Sequence, residues 1–463
     1  MSYQISIEEF QNGKMFNSNG KISHKSGNRF RLFPFVTNAK SASGLELEPL
    51  IGNYLCLLDK KTTKEITVED LCSKLREVTD VQEGKNELFE KTIRELFFTS
   101  EGTIRPLNLV FLEHMTSEDT NEKRIAEYLV EVLGDRDNLQ EHVERAKNSI
   151  VAESNVLEKL VLSKLQFDEL EPDRQELSYY RITNSLKEAF EEDFIYVLEN
   201  HNRSREYLVA LLELYYFTYT SQAILKLNRF LEGERDGNIP LYFSLDWEKT
   251  SQNRMCYKEG WQKLQGAIGK MLAHAIVLEI LNQTEPGSEL VDYIRIAEMI
   301  QDKSVDRELG KEIMDITDCY RNAISDCTEM QSLSPGEPSE SPTSDAIDFL
   351  FRSVVSQFEN TVRERPYKSY AKMFEDYCHK YLKSRGRSGL MLNLSEEMLI
   401  FLTRLCIKNQ EQMRLKDVFN EFEKRGVFLD GISKEQIAHY YERLNLIEKK
   451  SDSGDAKYVK RIL

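Results

Sequence analysis

The 463-residue sequence lacks the short motifs that identify most enzymes. It contains no Gly-x-x-x-x-Gly-Lys phosphate loop, no His-Glu-x-x-His pair and no Gly-x-Ser-x-Gly nucleophile elbow. Its seven cysteines are scattered without a Cys-x-x-Cys pair, and its seven histidines are equally dispersed. These absences predict no metal site, no small-molecule cofactor and no catalytic residue.

The sequence also lacks a basic-then-apolar leader at its N-terminus. One apolar run, Tyr207 to Leu225, is long enough to cross a membrane, but it carries Glu213 and Gln222. A charge at the centre of a membrane helix costs about 3 kcal/mol on insertion scales, so we expect a central helix buried inside a bundle. Together with cysteines that form no disulfide pattern, this predicts a cytoplasmic protein without a membrane segment.

Positive charge is scarce overall, and its distribution is uneven. The chain has 62 basic and 78 acidic residues, which gives a net charge of −16. From Ala346 onward, however, 22 basic residues outnumber 17 acidic ones, which leaves 40 basic and 61 acidic residues before that point. This split excludes a nucleic-acid platform over the whole surface and indicates an acidic body with a mildly basic C-terminal module. The simpler alternative is that the acidic balance only maintains solubility.

The spacing of apolar residues predicts a mainly α protein of four segments. Residues 1–60 are punctuated by glycines and predict a short β-strand or irregular arm. Residues 61–331 carry apolar residues at helical spacing, which predicts a large acidic helical body. Residues 332–345 contain five serines and three prolines and predict a flexible linker, because they cannot bury enough apolar surface to become ordered. Residues 346–463 predict a pair of helices followed by a compact C-terminal domain.

The sharpest N-terminal feature is the stretch Gly27-Asn-Arg-Phe-Arg-Leu-Phe-Pro-Phe35. Phe30 and Leu32 alternate with Arg29 and Arg31, and a period of two is typical of a strand. Interleaved basic and aromatic residues indicate that the two arginines contact a nucleic acid or a partner. The alternative, which we favour, is that the aromatic residues anchor the segment to the helical body.

The last segment, residues 395–463, has the order of a winged helix: three helices and then a hairpin. Ser395 precedes the first helical pattern as an N-cap. A second pattern runs from Leu415 to Arg425, and Gly426 follows it as a C-terminal signal. Two short apolar and basic runs around a glycine-containing turn predict the hairpin.

The third helix of this segment carries the candidate contacts with DNA. It is predicted to open at the capping box Ser433-Lys-Glu-Gln436 and to place Ile437, Tyr441 and Leu444 in the core. In such a domain the third helix can enter a major groove while the hairpin follows the backbone. The candidate DNA-binding residues are Lys434, Gln436, His439, Arg443, Lys449, Lys450 and Lys457.

Acidic residues in the same segment oppose base-specific reading. At 100° per residue, Gln436, His439 and Arg443 share one face of the third helix. Glu435 and Glu442 flank this stripe, and Asp452 and Asp455 at the wing tip repel phosphate. Winged helices also dock proteins, so protein contact stays open as an alternative. The stretch Leu390–Leu394 is a possible further strand of the wing sheet.

A nuclease site is the strongest candidate for chemistry that a motif search would overlook. The best string is Asp246-Trp-Glu248-Lys249, preceded by Asp236. Magnesium-dependent nucleases commonly use an acidic residue, a gap and then Asp/Glu-x-Lys, whereas here Glu248 and Lys249 are adjacent. In a chain with 78 acidic residues such strings arise by chance, so we favour a surface loop.

Two stretches resemble the DptG family, which is also called DndG. They are Phe422 to Gly426 together with Leu444 to Val459 at the C-terminus, and Gly27 to Phe35 near the N-terminus. The length, the acidic helical middle and the late winged helix agree with that family, so the resemblance covers the whole chain. The middle supplies no motif to compare. Members of this family are subunits of a bacterial antiviral restriction system that depends on DNA phosphorothioation, the replacement of a backbone oxygen by sulfur.

The resemblance implies a non-catalytic, DNA-engaging adaptor subunit of a restriction complex. It implies DptF-like and DptH-like ATPase and helicase subunits as partners and double-stranded DNA as the ligand. The motors are attributed to those partners, which agrees with the missing phosphate loop. Two alternatives stay open: a nuclease subunit of the same complex, and a winged-helix transcriptional regulator, against which the large acidic body argues.

Overall fold

Helices dominate the structure, a computed structural model in which they account for 59% of the chain and strands for 8%. The predicted mainly α fold is therefore confirmed. The structure describes residues 3–12, 15, 22–37, 47–64, 66–169, 178–199, 204–449 and 457–462.

The described residues form twenty α-helices. Those of the first half are α1 (Ile7–Asn12), α2 (Leu47–Leu58), α3 (Val68–Arg76), α4 (Asn86–Phe97), α5 (Leu109–Leu112), α6 (Thr120–Val132), α7 (Arg136–Glu153), α8 (Val156–Leu162), α9 (Lys187–Glu199) and α10 (Ser204–Leu227). Those of the second half are α11 (Gln262–Ile268), α12 (Met271–Leu281), α13 (Tyr293–Met299), α14 (Lys303–Asn322), α15 (Thr328–Ser332), α16 (Pro342–Glu359), α17 (Glu364–Cys378), α18 (Glu396–Ile407), α19 (Leu415–Lys424) and α20 (Gly431–Arg443).

The described residues also form nine short strands and a few single-turn 3₁₀ or π helices. The strands are β1 (Lys61–Thr63), β2 (Phe167–Glu169), β3 (Tyr242–Leu245), β4 (Leu382–Ser384), β5 (Leu390–Leu394), β6 (Gln412–Arg414), β7 (Phe428–Leu429), β8 (Ile447–Lys449) and β9 (Lys457–Lys460). They form a β1-β2 pair, a four-stranded sheet in the order β4-β5-β3-β7 and a three-stranded sheet in the order β6-β9-β8.

The four-stranded sheet connects the body to the C-terminal segment. Its strand β3 is parallel to β5, with Ser244 opposite Asn393, and parallel to β7, with Tyr242 opposite Phe428. The predicted strand at Leu390–Leu394 exists as β5, but its placement in the wing sheet was wrong. The alternation of side chains predicts a strand, whereas its partners are set by contacts with a segment that lies far away in sequence.

Helix α10 forms the centre of the body, as the sequence predicted. Its residues Leu211–Leu225 are buried with the exception of Glu213, which is partly exposed and forms an ion pair with Lys380. The amide of Gln222 satisfies both backbone groups of Ile239, donating at 2.9 Å and accepting at 2.8 Å. The polar residues of the apolar run therefore bind within the protein instead of interrupting a membrane segment.

One hydrophobic core extends through most of the chain. It includes side chains from Ile5 near the N-terminus to Val459 in β9. A second, smaller core contains side chains between Val68 and Leu165, which lie mainly on α3, α4 and α8. Residues that were predicted as arm, body and C-terminal domain thus contribute to the same main core.

The N-terminal segment, residues 22–37, follows an irregular path with an isolated bridge at Arg31. The carboxylate of Glu279, which is fully buried, accepts backbone N–H bonds from the turn at residues 27–30 at 2.8 to 3.1 Å. The expected alternation of burial holds from Arg29 to Leu32 and ends there, because residues 32–35 are all buried. The buried anchors of this segment are Phe30, Leu32, Phe33 and Phe35.

Residues 332–345 connect α15 to α16 and supply the first turn of α16, which begins at Pro342. Ser341 is the N-cap of that helix, and its hydroxyl donates to Asp306 of α14 at 3.0 Å. The backbone N–H of Thr343 donates to the same carboxylate at 3.0 Å. Helix α16 therefore starts four residues earlier than predicted, while the flexibility of the linker stays a prediction.

Among the described residues, no single helix combines the length and the apolar character that a membrane crossing requires. The pair Tyr257–Ile268 and Met271–Leu281, bent by 54°, meets the same criteria of length and composition. Every residue of α12, the second member of the pair, is buried.

The C-terminal elements follow the predicted order. Ser395 caps α18 by accepting the N–H of Met398 at 3.1 Å, and α19 begins at Leu415. The hairpin is also confirmed, because β8 and β9 are antiparallel with Ile447 opposite Val459. Strand β6, which was not predicted, pairs with the other side of β9.

Candidate nucleic-acid interface

The candidate interface centres on α20, which starts earlier than the sequence predicted. Its N-cap is Asp430, whose carboxylate accepts the N–H of Ser433 at 3.0 Å. Ser433 is buried inside the first turn, and its hydroxyl donates to the carboxylate of Glu248 at 3.0 Å. The capping-box prediction was wrong, because a body residue that is distant in sequence binds the serine that was expected to cap the helix.

Arg254 fixes this end of α20 to the body. Its guanidinium donates to Asp430 at 2.9 Å (Nε to Oδ2), to Ser433 Oγ at 2.8 Å and to Glu248 at 3.3 Å. Burial alone would raise the pKa of Asp430, but hydrogen bonds from Arg254 and Ser433 hold it below its usual value. The buried charges are therefore paired, which a buried ion requires.

The predicted core face of α20 is only partly confirmed. Ile437 and Tyr441 are fully buried, as expected. Leu444 is 43% exposed, so its placement in the core was wrong. The helix ends at Arg443, and Leu444 lies just beyond it, where the helical spacing no longer applies.

The opposite face of α20 presents three of the candidate DNA-binding residues together. His439 and Arg443 are exposed, and Gln436 is partly exposed. The guanidinium of Arg443 lies 5.5 Å from the ring centre of Tyr440, and no ion pair of Arg443 is found among the described residues. Arg443 can therefore contact a phosphate without first breaking an ion pair with a carboxylate.

The lysines beside this face are already paired with acids. Lys434 Nζ lies 2.9 Å from Glu423 Oε1, and Lys457 Nζ lies 3.0 Å from Glu442 Oε1. The ring nitrogen Nδ1 of His439 lies 3.5 Å from the other oxygen of Glu442. Glu442 thus connects the helix to β9 and reduces the positive charge that the wing side offers to DNA.

Two candidate lysines lie at the start of the predicted wing. Lys449 is the last residue of β8. Lys450 and the predicted wing tip at 450–456, including Asp452 and Asp455, lie outside the described residues. Their contact with DNA stays a prediction.

The flank of α20 that faces the body is aromatic and acidic. The rings of Trp247 and Tyr440 stack with their centres 4.8 Å apart. The Tyr440 hydroxyl donates to Glu396 at 2.9 Å, and Glu396 and Glu397 are exposed at the start of α18. The stacked rings position the helix, while the exposed carboxylates Glu396 and Glu397 repel phosphate at the start of α18.

The acidic string considered for nuclease chemistry is divided between different partners. Asp246 Oδ1 accepts from Lys383 Nζ at 2.7 Å and from the amide of Asn393 at 2.8 Å. Burial alone would raise the pKa of Asp246, but these hydrogen bonds hold it below its usual value. Glu248 instead binds Arg254, so the two carboxylates are committed to separate ion pairs.

The two N-terminal candidates, Arg29 and Arg31, lie against other helices of the body. Arg29 forms an ion pair with Glu9 of α1. Arg31 pairs with Glu127 of α6 at 3.0 Å, and its guanidinium lies 3.9 Å from the ring centre of Tyr179. Both charges are used within the chain, which favours an anchoring role over the predicted external contact.

Sequence reasoning missed Arg254 and the loop that carries it, residues 246–258. The loop was noted for its acidic string, but its packing against the N-terminus of α20 has no local signal. Asp430 is separated from Arg254 by 176 positions, and no helical or strand period connects them.

Among the described residues, no group of three or more His, Cys, Asp or Glu side chains is placed to hold a metal ion. No protein-family model matches the chain, and no curated protein matches it either. The geometry of α20 and its surroundings is therefore the main evidence for function.

Proposed function

We propose that this chain is a non-catalytic, DNA-engaging scaffold subunit of a bacterial phosphorothioation-dependent restriction complex. In this proposal the C-terminal module, α18 to β9, contacts the DNA, and the helical body binds partner subunits. The exposed face of α20, with His439 and Arg443, is the observation that carries the DNA contact.

The order of the elements supports the identification of the C-terminal module as a winged helix. Helix α18 is followed by strand β6, helices α19 and α20, and the hairpin β8–β9, with β6 completing the sheet. In helix-turn-helix proteins the helix in the position of α20 lies in the major groove. The residues that it would present are Gln436, His439 and Arg443.

The acidic neighbours favour contact with the DNA backbone over base reading. Glu435 is exposed beside the same stripe, and Glu442 neutralises Lys457. Carboxylates near a groove accept from cytosine but repel phosphates, so few positions are left for a bidentate base contact. Phosphate contacts fix position and carry little sequence information. We therefore expect weak sequence preference.

The acidic body supports a role in protein contact. Before Ala346 the chain has 61 acidic and 40 basic residues, a balance that repels DNA. The resemblance to the DptG family suggests DptF-like and DptH-like ATPase and helicase subunits as the partners. Co-purification of an ATPase subunit with the full-length chain would test this part separately from DNA binding.

The DNA contact is tested by replacing Arg443 and measuring duplex binding by fluorescence anisotropy over a salt series. Arg443→Ala removes an exposed cation from α20, and Arg307→Ala removes one from α14. If Arg443 contacts a phosphate, its loss lowers affinity and reduces the slope of log K against log salt by about 0.9. The Arg307 variant should match the wild type.

Two results would contradict the proposal. Absence of duplex binding by the wild-type chain at about 50 mM salt, where phosphate contacts are strong, would remove the DNA-engaging role. Equal affinity and equal slope for Arg443→Ala and wild type would remove α20 from the interface.

A further inference from the structure

A second basic surface lies on the body next to α20. It consists of the loop at residues 246–258 and the β4–β5 hairpin at residues 382–390, and we call it the basic edge. These two stretches contain six basic and two acidic residues. The excess contrasts with the acidic balance of the body and is not explained by the winged helix.

The two stretches of the basic edge are bonded to each other. Lys383 Nζ donates to both the backbone and the carboxylate of Asp246, at 3.0 and 2.7 Å. Arg385 donates to the carbonyl of Glu248 at 3.3 Å, and the side chain of Gln252 reaches the carbonyl of Arg387 at 3.5 Å. The loop and the hairpin therefore form one surface.

The same surface is fixed beside the candidate DNA-contacting helix. Arg254, in the middle of the loop, binds the N-cap Asp430 of α20. Trp247, near the start of the loop, stacks on Tyr440 of the same helix. The loop of the basic edge is thus packed directly against α20, from its N-cap to Tyr440.

The acidic residues of the basic edge are occupied internally, whereas three of its cations face solvent. Asp246 and Glu248 are paired with Lys383 and Arg254. Lys249, Lys258 and Arg387 are exposed, and none of the three has an ion pair in the part of the chain that the structure describes. The outward charge of this surface is therefore positive.

We propose that the basic edge binds the phosphodiester backbone of the duplex that α20 contacts, which extends the DNA interface from the C-terminal module onto the body. This inference rests on the proposed function. Exposed lysine and arginine residues bind phosphates without sequence preference, and polar side chains such as Gln252 are typical additional donors. The basic edge therefore supplies affinity and orientation, while the short face of α20 supplies the groove contact.

The test compares two triple variants of the full-length chain in a duplex-binding assay over a salt series. Lys249→Ala/Lys258→Ala/Arg387→Ala removes the exposed cations of the basic edge. The matched control, Lys303→Ala/Lys311→Ala/Arg307→Ala, removes two lysines and one arginine that are exposed on α14. Both variants change the net charge equally, so a difference between them reports position instead of total charge.

If each cation contacts one phosphate, the slope of log K against log salt falls by about 2.7 in the basic-edge variant. The affinity advantage of the wild type over this variant then shrinks about 40-fold between about 50 and 200 mM salt. The slope of the α14 variant should differ from that of the wild type by less than about 0.9, the contribution of one phosphate contact.

The outcomes separate this inference from the proposed function. If Arg443→Ala weakens binding but the basic-edge variant has the affinity and slope of the α14 variant, the basic edge is not part of the interface and only this inference fails. If the wild type binds no duplex, the proposed function fails and the inference fails with it. Melting temperatures equal to that of the wild type exclude unfolding as the cause of weaker binding.

Discussion

The ion pair between Asp193 of α9 and Arg425, at the end of α19, connects the helical body to the C-terminal module. The guanidinium donates to the carboxylate through two atoms, at 2.7 and 2.6 Å, and the exposed fraction of either side chain is at most 1%. The hydroxyl of Tyr215 donates to the same carboxylate at 2.8 Å. We predict that Asp193→Asn weakens the attachment of α19, because the buried guanidinium loses its two-atom partner on the body and keeps only Glu421 of its own helix, whose carboxylate lies 2.8 Å away.

The expected magnitude follows from the burial of both partners. Breaking a buried pair from one side costs about 3 to 5 kcal/mol, whereas an exposed pair contributes about 1 kcal/mol or less. If α19 exchanges its amide hydrogens by local opening, their exchange rates should rise by up to roughly three and a half orders of magnitude, because Glu421 stays beside Arg425 and offsets part of the loss. Hydrogen–deuterium exchange with mass spectrometry measures this change directly in peptides that cover α19.

A matched control and a rescue make the test specific. Asp348→Asn breaks the exposed pair that Asp348 forms with Arg352 at 2.6 Å, and it should change exchange little. Replacing both partners of the buried pair, as Asp193→Leu/Arg425→Met, should restore much of the protection, because no charge is left unpaired. Unchanged protection of α19 in Asp193→Asn would refute the claim that this pair holds the module to the body.

Three further predictions address other parts of the chain. Burial raises the pKa of Glu113 from its ordinary 4.5 to about 7 although Lys147 lies beside it. The folded state therefore holds this proton more tightly than the unfolded state, and the free energy of unfolding falls by roughly 3 kcal/mol as pH rises from about 4.5 to about 7. Glu113→Gln should flatten this part of a plot of the urea midpoint against pH. An unchanged plot would contradict this prediction. Gly52→Ala should lower the melting temperature, because the new Cβ would lie 2.0 Å from the carbonyl oxygen of Met115. Gly266→Ala in α11 should raise the melting temperature, because its Cβ meets no atom within 4 Å and alanine favours a helix over glycine by about 1 kcal/mol. Lys449→Ala/Lys450→Ala should lower the slope of log K against log salt for duplex binding by up to about 1.8, and an unchanged slope would exclude the base of the wing from the interface.

Local signals were sufficient to predict α18 and α19 of the C-terminal module. The hydroxyl of Ser395 and the apolar spacing after Leu415 act within one helical turn, so each can be read from neighbouring residues. The burial of α10 was predictable for a similar reason, since its long apolar run needs an apolar environment on all sides. The hairpin β8–β9 was predictable because its strands are close in sequence and flank a stretch that contains Gly454.

Contacts between distant segments were not predictable in the same way. Strand β3 looks irregular in sequence because it is only four residues long, and it is stabilised by β5 and β7 across long separations. Ser433 has the sequence environment of an N-cap, yet Glu248 from the body binds its hydroxyl. The alternation of Arg29 and Arg31 with aromatic residues indicated a strand, but the carboxylate of Glu279 takes the backbone N–H groups that a strand would use.

The candidate site shows the same division. The helical period placed Gln436, His439 and Arg443 on one face, and the structure brings them together there. The period could not show that Glu442 binds Lys457, because that contact depends on how β9 packs beside α20. Nor could it show the basic edge, since the two stretches that form it are more than a hundred residues apart.

The central claim is that α20 and the surfaces beside it form the DNA interface of this chain. The most direct measurement is hydrogen–deuterium exchange of the full-length chain with and without a saturating duplex. We predict that the duplex protects α20 and residues 246–258 and leaves α14 unchanged. Saturated binding with no protection of α20, or with protection confined to α14, would contradict the account.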